Sequence, residues 1–151
     1  MKPLEFPFAL NIGTDVVHLP RIVRLISRPA RTGKESYLER FTRRILCSPE
    51  QEDFHKRFRV PFPNRSSSTT QQTDMARWLA GRFAAKEAAR KAAPEGAASL
   101  GWKDVMVRYG QPASSGSSRP EVIYLGEDSR VGKLSISHDG DYVVATVLAG
   151  G

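Results

Sequence analysis

Glu87 and Lys91 stand four residues apart in the run from Trp78 to Ala92, WLAGRFAAKEAARKA, so on a helix they are neighbours on one face. Two kinds of chemistry fit that spacing. One is a solvated ion pair that adds roughly a few tenths of a kcal/mol. The other is a carboxylate that holds a hard cation beside a lysine that meets phosphate. Mg²⁺ commonly takes only one or two protein carboxylates and completes its octahedron with waters and phosphate oxygens. Asp15, in Gly13-Thr14-Asp15 near the carboxyl end of a short apolar run, could supply the second carboxylate, or it could stabilise a turn. Arg82 and Lys86 lie close to the Glu87 face in projection.

Other residues admit a bland and a sharp reading in the same way. His138 ends the strand pattern Ser135-Ile136-Ser137 just before a turn, a place suited to ligand contact or to simple exposure. Arg21, Arg24 and Arg28 are spaced by three and four with no acid between them, as a solvated helix face or as a surface for an acidic partner. Cys47, the single cysteine, reads as a small buried hydrophobe and excludes both an internal disulfide and a thiolate zinc site. Glycines are not grouped in Gly-rich turns before helices, so neither a Walker-type phosphate loop nor a dinucleotide fingerprint is present.

The elements that must carry these residues follow from periodicity. Leu10 to Val17 reads as a buried strand ended by Pro20, and Arg21 to Ser27 as a helix stopped by Pro29. Ser48-Pro49-Glu50-Gln51 offers an N-cap at Ser48, a proline in the first turn and Gln51 to complete a capping box, for a helix to about Phe58. Pro61 to Thr73 is polar and aperiodic and reads as a surface loop. The strongest helix runs from about Asp74 to Ala93, with Met75, Leu79 and Phe83 at four-residue steps and many alanines, as expected of a central helix covered on more than one side. Strands are predicted at 105–107, 122–125, 134–137 and 142–148, the last two flanking the hairpin signal Asp139-Gly140. A helical first half followed by an antiparallel second half makes an α+β domain.

The 151 residues fit a single domain. There are 23 basic and 16 acidic side chains, net +7, and residues 1–60, 61–100 and 101–151 carry +5, +3 and −1. The excess sits in the first two thirds, and 16 of the 23 cations are arginine, whose planar fork suits phosphate and carboxylate. A membrane span and a disordered tail are excluded by composition, and an intracellular, reducing compartment is the default.

Four segments together resemble a known family. GTDVVHLPRI (13–22), WLAGRFAAKEAARKA (78–92), WKDVMV (102–107) and LSISHDGDYVVATVLA (134–149) look like the signature blocks of the holo-acyl-carrier-protein synthase type of 4′-phosphopantetheinyl transferase, in the same order and at similar spacing. The resemblance implies a 4′-phosphopantetheinyl transferase fold, an antiparallel sheet packed around a long central helix. It implies transfer of phosphopantetheine from coenzyme A to a serine of an apo acyl carrier protein, with release of 3′,5′-ADP. By the same resemblance Asp15 and Glu87 hold Mg²⁺, with Mn²⁺ as a substitute. Glu87 and Lys91 act in catalysis. Arg82, Lys86, Lys91, Ser137 and His138 line the coenzyme A site, and Arg21, Arg24 and Arg28 belong to the surface that docks the acidic carrier. A homotrimer is expected on the same ground, and neither nucleic acid nor membrane is an expected partner.

The chain departs from the family pattern in three places. Pro94-Glu95-Gly96-Ala97 replaces a Gly-Thr-Gly-like turn, the stretch between Leu125 and Lys133 is too short for the helix often found there, and the insert at 63–73 is longer than in compact bacterial members. The residues by themselves leave two other readings open, a Mg²⁺-dependent nuclease or phosphohydrolase using Asp15 and Glu87, and a non-catalytic basic domain that binds nucleic acid. The Ser/Thr-rich insert has a eukaryotic character, and the family resemblance implies a mitochondrial setting if the chain is eukaryotic and the cytoplasm otherwise.

Overall fold

The computed structural model describes residues 1–59, 68–110 and 118–151. Strand β1 (Leu10–His18) alternates strictly, with Gly13 and Val17 buried and Leu10, Ile12, Thr14 and Val16 exposed. Pro20 follows in the first turn of helix α1 (Leu19–Ile26), where its missing N–H costs nothing. The proline therefore opens the helix as much as it ends the strand. Ser27 caps α1, so Arg28 lies beyond the helix and not on the face predicted for it.

Helix α2 (Tyr37–Ile45) was not anticipated. It starts at a reciprocal capping box: Ser36 Oγ accepts from the Glu39 N–H at 3.1 Å, and Glu39 Oε2 accepts from the Ser36 N–H at 3.0 Å. Helix α3 (Ser48–Phe58) has its cap one residue earlier than expected, at Cys47. Glu50, not Gln51, closes the box by accepting from the Cys47 N–H at 3.0 Å, while Gln51 Nε2 donates to Leu46 O at 2.9 Å. Helix α4 (Thr69–Lys91) begins five residues before Asp74, with Ser68 Oγ accepting from the Gln71 N–H. Residues 69–73 of the expected loop are thus helical, and residues 61–67 lie outside the described residues.

Beyond α4, two single-turn 3-10 helices (Ala97–Ser99 and Trp102–Asp104) lead into β2 (Val105–Tyr109), β3 (Pro120–Tyr124), β4 (Arg130–Asp139) and β5 (Tyr142–Gly150). All five strands form one antiparallel sheet in the order β1-β5-β4-β3-β2. The β4–β5 hairpin turns where expected, with Gly140 at φ +53°, the left-handed backbone that favours glycine. A short link joins β3 to β4 without a helix, as the length of that stretch required. The α+β class and the long helix against an antiparallel sheet are as predicted.

Alanine explains how the two layers meet. Ala76, Ala80, Ala84, Ala85, Ala88 and Ala89 are fully buried, and with so little side chain the sheet lies close against α4. The closest approach is at Gly13, where an added Cβ would stand 2.0 Å from Ala88 O and 2.9 Å from Lys91 Cβ. Glycine is required there by space, and the strand period puts Asp15 on the same side two residues on. Gly13→Ala must push β1 off the helix, and a loss of about 3 kcal/mol is expected by urea unfolding. A loss below about 1 kcal/mol would show that the strand yields freely.

Candidate active site

The tight seat of β1 on α4 brings the first and second signature segments together. Lys91 Nζ, near the end of α4, donates to Asp15 Oδ1 at 3.0 Å and to Thr14 O at 2.9 Å. Asp15 is therefore a strand residue paired to the helix and not a turn former. Its side chain is 18% exposed, and that of Lys91 46%. The predicted Glu87–Lys91 ion pair does not form. Glu87 Oε1 instead accepts from Arg90 Nη1 at 2.8 Å and from Trp102 Nε1, leaving the carboxylate 21% exposed. Asp15 Oδ2 and Glu87 Oε2 receive no hydrogen bond among the described residues. One turn of helix separates Glu87 from Lys91, so two carboxylates and an ammonium share one end of the sheet–helix seam.

Hard anionic oxygens with open lone pairs are what Mg²⁺ requires. No group of three or more His, Cys, Asp or Glu placed to hold a metal occurs among the described residues. Mg²⁺ commonly takes one or two protein carboxylates alongside substrate phosphates, and Asp15 and Glu87 are of the type that could supply them.

Arg82 and His138 also converge. The Arg82 guanidinium carbon lies 3.3 Å from the centre of the Trp78 ring, and its buried Nε has no hydrogen-bond partner among the described residues. Burial lowers its pKa to about 10, partly countered by the Glu50 charge, so it stays a cation at neutral pH. Arg82 lines a cleft of about 580 Å³ with Lys56, Arg57 and Tyr109. It also lines an adjoining cleft of about 370 Å³ that adds Arg77, Ile136 and His138. Asp53 and Asp74 also line these clefts, but cations outnumber acids, and Trp78 and Tyr109 add aromatic surface, a setting that suits a phosphorylated aromatic ligand. Ser137 is not brought to it: the strand period sends its side chain to the opposite face from Ile136 and His138, beside Val144 across the pair.

Lys86 is the main correction. It is fully buried, and its ammonium donates to Glu50 Oε2 at 2.6 Å, Trp102 O at 2.9 Å and Val105 O at 2.6 Å. All three donors are used, so none is left for a phosphate of coenzyme A. Glu50 accepts at the same time from the Val107 N–H at 2.9 Å and from the Cys47 thiol at 3.2 Å. Burial lowers the Lys86 pKa, with the Glu50 charge pulling the other way. Burial first, and then the charge of Glu50, pushes the Cys47 thiol up, so it remains a neutral donor. This hub ties α3, α4 and β2 together.

On the other side of α4, Arg21, Arg24 and Arg28 do meet, around a groove of about 390 Å³ floored by Ile22, Leu25, Phe41 and Phe83. Its apolar floor comes partly from α2, which was not anticipated. Trp102, Arg90, Arg57 and Arg77 were also missed as site residues. Arg90, three residues after Glu87, and Arg77, on α4 beside Trp78, were readable from helical spacing; Arg57 and Trp102 come from elements distant in sequence.

The family model described as the 4′-phosphopantetheinyl transferase superfamily, ACPS, matches residues 11–147. A curated relative, the mitochondrial 4′-phosphopantetheinyl transferase B of Aspergillus fumigatus, is 62% identical over 162 aligned positions, covering 100% of both chains. The holo-[acyl-carrier-protein] synthase of Shouchella clausii is 34% identical over 92% of this chain and 96% of its own. Among solved structures, the holo-(acyl-carrier-protein) synthase of Bacillus anthracis in complex with coenzyme A (3′,5′-ADP) superposes with a TM-score of 0.59 at 28% identity, over 93% of this chain and 96% of that one. With the sheet–helix seam, its two carboxylates and Lys91 in place, these matches settle the class: the chain belongs to the 4′-phosphopantetheinyl transferase superfamily, as an enzyme of the holo-acyl-carrier-protein synthase kind.

Proposed function

We propose that the chain transfers phosphopantetheine from coenzyme A to a serine of an apo acyl carrier protein, with 3′,5′-ADP as the other product. The observation that carries this reading is the cluster of Asp15, Glu87 and Lys91 at one end of the seam, with one open oxygen on each carboxylate. The bond formed is from the serine oxygen to the β-phosphorus of coenzyme A, and the bond broken is from that phosphorus to the oxygen bridging to 3′,5′-ADP.

Asp15 and Glu87, each with one carboxylate oxygen free of the hydrogen bonds above, would hold Mg²⁺ or Mn²⁺. When bound, the cation polarises the pyrophosphate oxygens as a Lewis acid. Lys91 spends two donors on Asp15 and Thr14 O, which leaves its third N–H to offset charge building on a phosphate oxygen. Glu87, whose Oε1 is already engaged, would take the serine proton on the lone pair of Oε2 that a bound cation leaves free. Arg82 and His138 receive the phosphorylated adenosine end of coenzyme A, with the unpartnered Arg82 Nε available as a donor.

The carrier docks in the groove ringed by Arg21, Arg24 and Arg28. Cations above an apolar floor complement an acidic amphipathic helix. Ile12, Val16, Val144 and Leu148 are exposed on the outer face of β1 and β5 around the Thr14–Thr146 hydrogen bond. An apolar sheet face of this kind suits an interaction site, and the homotrimer expected from the family resemblance would bury it. The likeness to the mitochondrial relative favours the mitochondrion as the compartment.

The test is intact-mass analysis of a panel of apo carriers incubated with the chain, coenzyme A and Mg²⁺. One phosphopantetheine is gained by at least one carrier, and chelation of the divalent cation with EDTA abolishes the gain. Failure to modify any carrier, or full modification in EDTA, overturns the proposal.

A further inference from the structure

We infer that Trp102 and Arg90 are positioning residues that fix the Glu87 carboxylate so that Oε2 alone faces the cation; this rests on the reading of Glu87 as a metal-holding residue. Both donors, Trp102 Nε1 and Arg90 Nη1, converge on the same oxygen, Oε1. A carboxylate held at one oxygen by two N–H groups from different directions has lost its freedom to rotate. What remains is one oxygen with a defined aim, a single-point ligand and not a two-oxygen chelate.

The two donors are themselves immobilised. Arg90 Nε donates to Leu100 O at 2.6 Å, so the guanidinium is held from both sides. The Trp102 ring lies between Arg44 and Arg90, at 5.1 and 5.5 Å from their guanidinium carbons, and packs on Phe83 at 5.8 Å. Its carbonyl accepts from the buried Lys86. The segment leaving α4 and returning toward β2 is thereby fastened to the helix on both sides of Glu87. Second-layer partners that orient a metal-holding side chain commonly change metal affinity when removed.

Trp102→Phe keeps an aromatic six-membered ring against Phe83 and the two guanidinium groups and removes the indole N–H together with the five-membered ring that carries it. Mn²⁺ is titrated into the full chain in the presence of 3′,5′-ADP, and free Mn²⁺ is followed by its paramagnetic resonance signal. The Mn²⁺ Kd is expected to rise about tenfold in Trp102→Phe, with the nucleotide Kd unchanged. In turnover, the Mg²⁺ concentration for half-maximal rate rises in step while kcat at saturating Mg²⁺ is largely restored. A role limited to packing moves neither metal measurement.

Arg90→Met, which keeps the stem and drops both donors, is expected to behave in the same direction and decides the question if Trp102→Phe does not fold. Wild-type Mn²⁺ affinity in the folded variants, with Mn²⁺ binding lost in Glu87→Gln, overturns the positioning role and leaves the reading of Glu87 intact. Wild-type Mn²⁺ affinity in Glu87→Gln overturns that reading, and the positioning role with it.

Discussion

Lys86→Met lowers stability by about 3–5 kcal/mol, the usual cost of removing one member of a buried ion pair. Methionine fills most of the volume and keeps the stem packed, so the loss comes from what the ammonium served. Glu50 is left as an uncompensated charge in a site where its own exposure is 2%, and the carbonyls of Trp102 and Val105 each lose a donor. The expected fall in Tm is on the order of 10 °C. Adding Glu50→Gln to the same chain recovers part of the loss, because the amide still accepts from the Cys47 or Val107 N–H while the stranded charge is gone. Urea unfolding of the two single variants and the double variant measures the coupling. If Lys86→Met were as stable as wild type and instead raised the KM for coenzyme A, the hub would have to give way to the ligand-contact role the family motif suggests.

Glu87→Gln is expected to reduce kcat by about 10³-fold, the scale on which loss of a positioned proton acceptor acts, and the fold should survive. Glutamine can present its oxygen to Arg90 and Trp102 in place of Oε1, so Tm should stay within a few degrees of wild type. The amide nitrogen then occupies the place of Oε2, where it can neither accept a proton nor bind a hard cation. Single-turnover modification of a carrier at saturating Mg²⁺ separates this from weakened substrate binding. Near-normal turnover would remove Glu87 from the chemistry.

These two neighbouring residues on one helix show what the chain made legible and what it hid. The long helix, the first strand and the Asp139-Gly140 hairpin were readable because periodicity and turn chemistry are local. Asp15 and Lys91 stood out from their motifs, and the sheet–helix seam brings them within hydrogen-bond reach. Lys86 was misplaced because α4 is lined with alanine on nearly every side. Such a helix has no polar face from which to infer which cation meets solvent. The answer lay in Glu50, 36 residues away, whose place was set by a cap that starts at Cys47 and not at Ser48. Trp102 was hidden for the same reason: its indole reaches back across a connection that carries no periodicity.

Strand order also has a consequence for when the enzyme comes into being. Among the described residues β1 is an edge strand with β5 as its sole strand neighbour, and Thr14 meets Thr146 across 132 residues of chain. Closing so long a loop is entropically slow, and it has to wait until the last strand is available. Until then the alanine ridge of α4 is uncovered, Asp15 has no fixed address, and the carboxylate pair does not exist. A nascent chain is therefore silent as a catalyst, and the hazard during its maturation is self-association of the bare ridge, not premature chemistry.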